Sequence, residues 1–167
     1  MNIYELLNDE KFKLISDDDK SFILAFDNAM NGFGYDFGGR LYGNATRDEL
    51  AYSKTGLKSK KFIARVYVRK DNGEVSLRLY CTDINKHRAH IESAPPYIKD
   101  AFTFEWGDCQ NCMPTCKSMK NYTIDDQQYN KCCHNIAQFA NPTVDRLPDY
   151  MALLSAFYPA KKAKAAK

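Results

Sequence analysis

The stretch KFIARVYVRKDNGEVSLRLYCT, residues 61–82, decides the fold. Apolar and polar side chains alternate from Ala64 to Arg69 and again from Ser76 to Cys81. A period of two marks a half-buried strand, and Asn72-Gly73 between the runs is the dipeptide preferred in a two-residue type I′ turn. Counting outward from that turn predicts the pairs Val68–Leu77, Val66–Leu79 and Ala64–Cys81, six side chains on the core face. Arg65, Tyr67 and Arg69 then share the other face with Ser76, Arg78 and Tyr80. In that register Arg65 stands opposite Tyr80, and Tyr67 opposite Arg78.

Upstream, Ile3, Leu6, Leu7 and Leu14 outline a short, weakly amphipathic helix. A stronger helix follows: Ser16 is placed to cap it, with Asp19 three residues on, and Phe22, Phe26 and Met30 recur four apart on one face. Gly32 and Gly34 end it. Tyr35 to Asn44 reads as an irregular strand and residues 48–54 as a second strand; Gly38-Gly39 is too short a glycine run to cradle a phosphate and marks a bulge. Downstream, a helix over roughly 84–93 stops at Pro95-Pro96, and a further helical turn carries Ile98 and Phe102. Tyr122 to Ile124 and Gln128 to Lys131 read as two short strands around Asp125-Asp126. The last helix, about 147–157, aligns Tyr150, Leu153, Leu154 and Phe157 and is expected to pack on the sheet.

These elements predict a single α+β domain over residues 1–159. Its antiparallel sheet has four or more strands packed with helices, and a small cysteine-rich, metal-held excursion at 107–134 precedes the last helix. Residues 160–167 read as a disordered basic tail. The chain has 167 residues, 44% hydrophobic and 27% charged, with 10 Phe and 11 Tyr, enough for one real core. Its formal charge is +3, but the tail holds four lysines and no acid. The body is left at about −1, a balance that does not favour nucleic acid. No segment approaches the ~20 apolar residues that span a bilayer, and the N-terminus MNIYELLNDEKFKL lacks the apolar run of an export signal. A cytoplasmic location without membrane attachment is the expectation.

Five of the six cysteines fall between residues 109 and 133, as Cys109-x2-Cys112-x3-Cys116 and then Cys132-Cys133, followed by His134. In a reducing compartment disulfides are rare, and a C-x2-C pair in a tight turn lets two thiolates reach one ion. The spacing predicts a structural zinc site on Cys109, Cys112, Cys116 and Cys132, with Cys133 and His134 in reserve. Neighbouring residues of a strand point opposite ways, so Cys132 and Cys133 are not expected to bind together. A redox pair at Cys109 and Cys112, disulfides and an iron–sulfur cluster are the competing readings. Cys81 belongs to the core face and reads as a small buried hydrophobe.

The second candidate site is the outer hairpin face. Arg65, Tyr67, Arg69, Arg78 and Tyr80 form a chequerboard able to stack a ring and neutralise a phosphate or carboxylate. Cross-strand cation–π pairing without any ligand is the plainer alternative. His87 and His90 fit a solvated helix face. The chain holds no Gly-x-Ser-x-Gly elbow, phosphate-binding loop, dinucleotide glycine run or HExxH.

Four blocks carry a resemblance: YSKTGLKSKKFIARVYVR at 52–69, LRLYCTDINKHRAHIESAP at 77–95, the Cys109 to Cys133 cluster, and NPTVDRLPDYMALLSAFYP at 141–159. Together they resemble a group of small uncharacterised bacterial proteins with a C-terminal cysteine cluster. The resemblance implies one complete domain and no particular chemistry. The leading expectation is a zinc-binding, non-enzymatic module that takes a small anionic or planar ligand, or a protein partner. The alternative is a thiol-dependent redox enzyme or sensor.

Overall fold

The 61–82 hairpin forms at the centre of a six-stranded antiparallel sheet. The structure, a computed structural model, describes residues 2–56, 61–103, 120–131 and 136–159. Among these, five helices and eight strands follow one another: α1 (Ile3–Leu7), α2 (Asp17–Phe33), β1 (Tyr35–Asp36), β2 (Leu41–Gly43), β3 (Arg47–Lys54), β4 (Phe62–Arg69), β5 (Val75–Tyr80), α3 (Arg88–Glu92), α4 (Pro96–Thr103), β6 (Lys120–Ile124), β7 (Gln127–Lys131), β8 (Ile136–Ala140) and α5 (Leu147–Phe157). The main sheet runs β1-β3-β4-β5-β8, with β2 also paired to β3, and β6 and β7 form a separate two-stranded ribbon. The α+β class and the antiparallel sheet are those expected. Among the described residues no helix is long and apolar enough to cross a membrane.

The hairpin register differs from expectation by two residues. Val68 pairs with Val75, Val66 with Leu77 and Ala64 with Leu79. A type I′ turn needs positive φ at both central residues, whereas here only Gly73 has one, at 75°. Asn72 instead accepts a hydrogen bond on its side chain from the Glu74 amide at 3.0 Å. The turn thus lengthens to Lys70–Gly73, closed by Arg69 N–H to Glu74 C=O and Gly73 N–H to Arg69 C=O, both at 2.9 Å. A slip of two leaves each side chain on its face, so the division into core and outer face is as expected. Cys81 then falls just beyond β5, buried as anticipated.

The described helices pack on one face of the sheet. Leu50 and Tyr52 of β3, Ala64, Val66 and Val68 of β4, Val75, Leu77 and Leu79 of β5, and Ala137 and Phe139 of β8 join one core with Phe22, Phe26 and Met30 of α2 and Tyr150, Leu153 and Leu154 of α5. Phe26 meets the Tyr52 ring edge-on at 5.2 Å, and Tyr150 lies 4.8 Å from Phe139. The α2 start is as read: Ser16 Oγ accepts from the Asp19 amide at 3.1 Å. The irregular strand over 35–44 resolves into β1 and β2, separated by Gly38 and Gly39 at positive φ.

Gly73 has a second duty. A Cβ built there would lie 2.2 Å from the Leu14 carbonyl oxygen, because the hairpin turn seats directly on the backbone between α1 and α2. Gly73→Ala should therefore destabilise the fold by about 3 kcal/mol, from left-handed strain plus the clash. Urea unfolding would show it as a lowered midpoint with an unchanged slope.

Candidate functional site

On the face away from the helices, alternation brings Arg47 and Glu49 of β3, Arg65, Tyr67 and Arg69 of β4, Ser76, Arg78 and Tyr80 of β5, and Gln138 of β8 onto one surface. The corrected register sets Arg65 directly opposite Arg78 and Tyr67 opposite Ser76. The expected Arg–Tyr contacts nevertheless form, now along diagonals. Arg78 lies 4.6 Å from the Tyr67 ring centre and Arg65 5.7 Å from that of Tyr80. Diagonal neighbours on a sheet lie within reach of long side chains, which is why a two-residue slip preserves these pairs.

Arg47 and Glu49 complete the surface and escaped the sequence reading. Arg47 also lies 4.6 Å from the Tyr67 ring, so that one phenol, only 4% exposed, serves two guanidinium groups. Glu49, 7% exposed, accepts from Arg65 Nη1 at 2.9 Å and from Arg47 Nε at 3.2 Å. A carboxylate so far from water needs such partners to offset its lost hydration. Their signal in the sequence was the parity of β3: once its pairing with β4 is known, residues 47 and 49 must join 67 and 69.

Among the described residues the charges do not cancel. Arg69 is matched by Asp71 through two hydrogen bonds at 3.0 and 2.6 Å, outside the cluster proper. Arg78 Nε donates to Gln138 Oε1 at 2.7 Å, a neutral acceptor. Among the described residues Arg47 and Arg65 share one carboxylate, Glu49, and Arg78 has no carboxylate partner. Arg65 Nε is buried and has no hydrogen-bond partner among the described residues. Burial, with the hydrogen bond it donates to Tyr67, pushes the Tyr80 phenol up to about 12. Tyr42 and Phe62 extend the ring surface, 5.5 Å apart, and each carries an arginine, Arg40 and Arg65, at 4.9 Å.

The expected metal ligands Cys109, Cys112, Cys116 and Cys132, with Cys133 and His134, lie outside the described residues. Among the described residues no group of three or more His, Cys, Asp or Glu is placed to hold a metal. What is described is the ribbon between them. Lys120 pairs with Lys131, and the ribbon turns at Asp125-Asp126, both at positive φ. That tip is fastened to the body: Arg88 binds Asp126 at 2.7 Å, Lys99 binds Asp125 at 2.8 Å, and Glu92 accepts from the Asp125 amide at 2.7 Å. His87 packs its ring on Phe157 at 4.1 Å rather than facing solvent with His90. A concavity of about 370 Å³ lies where Thr82 to Lys86 meet Asn121 and Tyr122, away from the arginine surface.

A further buried acid, Asp27 on α2, also went unread, although it interrupts the apolar face of Phe22, Phe26 and Met30. Its Oδ1 accepts from the buried Tyr52 phenol at 3.1 Å and its Oδ2 from Asn31 at 3.0 Å.

No family model, curated protein or solved structure matches this chain. The site is therefore read from its own geometry.

Burial holds the Asp27 carboxyl above its ordinary range, against the pull of the Tyr52 and Asn31 hydrogen bonds. Above the unfolded value of about 3.9, the native chain then keeps a proton that the unfolded chain has released. Stability from this group must fall as pH rises through that window. Asp27→Asn should flatten this part of the stability–pH curve, followed by urea midpoints from about pH 4 upward.

Proposed function

We propose that the chain is a non-enzymatic binding module whose outer sheet face receives a ligand carrying both negative charge and a flat ring. One observation carries the reading: Arg47 and Arg78 lie on the Tyr67 ring with Arg65 beside them on Phe62 and Tyr80, and among the described residues Glu49 answers only Arg47 and Arg65, while the buried Arg65 Nε has no hydrogen-bond partner. A purely self-paired face would match its charges; this one retains donors suited to a phosphate or carboxylate beside rings suited to stacking. The nucleophile–base–orienter arrangement that acyl transfer or proton abstraction requires is not what these residues form. Recognition fits them better.

The same proposal keeps a structural zinc ion on Cys109, Cys112, Cys116 and Cys132. The ribbon supports it: pairing of Lys120 with Lys131 makes the chain leave and re-enter from adjacent backbone positions, one residue from Cys132 and four from Cys116. The pinned tip gives such a site a fixed base. A polar excursion of this kind gains its folding free energy chiefly from ligation.

Calorimetric titration of the full chain with adenosine monophosphate should show binding, weakened about tenfold by Arg78→Ala, since a charge-assisted hydrogen bond is worth roughly 1.5–3 kcal/mol. The melting temperature of that variant should barely move. No binding by the folded wild type would end the reading. Elemental analysis should find one zinc per chain, whereas metal-free protein with all thiols free would favour the redox alternative. Cys112→Ser should speed hydrogen exchange in the cysteine block while the main sheet keeps its protection.

A further inference from the structure

The arginine surface is broad. From Tyr42 on β2 across β3, β4 and β5 to Gln138 on β8 it spans four strand spacings, about 19 Å at ~4.8 Å each. Small-molecule sites are usually concave, and the concavity found among the described residues, near Thr82, lies elsewhere. Along the 19 Å, rings and guanidinium groups alternate: Arg40 on Tyr42, Arg65 between Phe62 and Tyr80, Arg47 and Arg78 on Tyr67. Repeated cation and ring at this scale suits a polymer with a repeating anion and repeating flat groups.

Resting on the function proposed above, we infer that this face binds a short single-stranded nucleic acid, two or three nucleotides laid across β3, β4 and β5. The half-buried rings of Tyr42, Phe62 and Tyr80 and the guanidinium planes offer stacking to unpaired bases, and Arg47, Arg65 and Arg78 offer donors to phosphates. A duplex presents no unpaired base to such a sheet. The net charge of the body, about −1, conceals the distribution that matters. Of seven arginines in the chain, Arg47, Arg65, Arg69 and Arg78 lie on this face and Arg40 stacks at its margin. The acidic run Asp17–Asp19 opens α2, on the opposite side of the sheet.

Glu49 gives the inference its sharpest consequence. It occupies Arg47 and Arg65 in the free protein, and a phosphate must compete with it. Glu49→Gln should weaken the fold by removing a buried counter-charge and yet tighten binding. A residue of purely structural importance would lose both.

The test is fluorescence anisotropy of labelled hexauridylate with the full chain, in parallel with adenosine monophosphate and hexaglutamate as competitors. The hexanucleotide should bind at least tenfold more tightly than the mononucleotide. Its affinity should fall with salt on a logarithmic slope of about −2, as three phosphate contacts on a single strand imply. Arg78→Ala should reduce the slope by about 0.7. Arg65→Lys, which keeps the charge and loses the planar fork, should weaken binding less than Arg65→Ala. Glu49→Gln should tighten it about threefold or more, with folding checked by thermal melting. Mononucleotide binding with no gain for the hexamer would overturn the inference and leave the proposed function standing. Hexamer binding that survives the Arg65→Ala, Arg78→Ala double substitution would place it on the lysine tail and overturn the inference. Displacement by hexaglutamate at equal concentration would overturn it in favour of an acidic peptide. Failure of both nucleotide probes on folded protein would end both readings.

Discussion

Strand β4 sets the terms for the rest of the molecule. Ala64, Val66 and Val68 enter the core while Arg65, Tyr67 and Arg69 face away, and its two neighbours, β3 and β5, must match that parity. The apolar side binds the helices through non-directional burial. The other side is held by directed contacts, guanidinium over phenol and carboxylate between guanidiniums, around the nearly buried Tyr67 and Glu49. Long arginine stems make this possible, since they cover apolar surface while keeping their charged ends near water. One sheet thus carries two chemistries, and period-two alternation keeps them apart.

Helix positions were legible because caps and periodicity are local. Ser16 with Asp19, the Phe22–Phe26–Met30 stripe and the Tyr150–Leu153–Leu154–Phe157 stripe required no knowledge of partners. Register was harder, because a turn is chosen by energies beyond its own dipeptide. Asn72-Gly73 carried the stronger type I′ signature, yet Gly73 had to fit against Leu14 and Asn72 found a local acceptor role. Asp125-Asp126, a weaker pair by propensity, adopts left-handed φ at both positions because Lys99 and Arg88 hold its carboxylates. Tertiary ion pairs there offset a backbone cost of about 1–2 kcal/mol per residue.

The outer site was half legible for the same reason. Arg65, Tyr67, Arg78 and Tyr80 sit on one hairpin and follow from alternation alone. Arg47, Glu49 and Gln138 reach the surface from strands distant in sequence, and nothing in RDELAYSK announces which of its faces meets β4. β8 was missed altogether, since Ile136–Ala140 is short and only its pairing with β5 makes it a strand. Asp27 shows the converse: an acid amid an apolar stripe is visible in sequence, but its Tyr52 partner is not.

That late strand has a topological consequence. β5 and β8 are adjacent in the sheet, yet residues 81–135 separate them along the chain. Closing a loop of that length costs about 3.5 kcal/mol by the (3/2)RT ln n rule, so β8 joins at a larger entropic penalty than any hairpin-linked strand. Gln138, which holds Arg78, rides on that strand. Whatever shortens or stiffens the connection lowers the closure penalty, and the outermost guanidinium of the sheet is steadied with it.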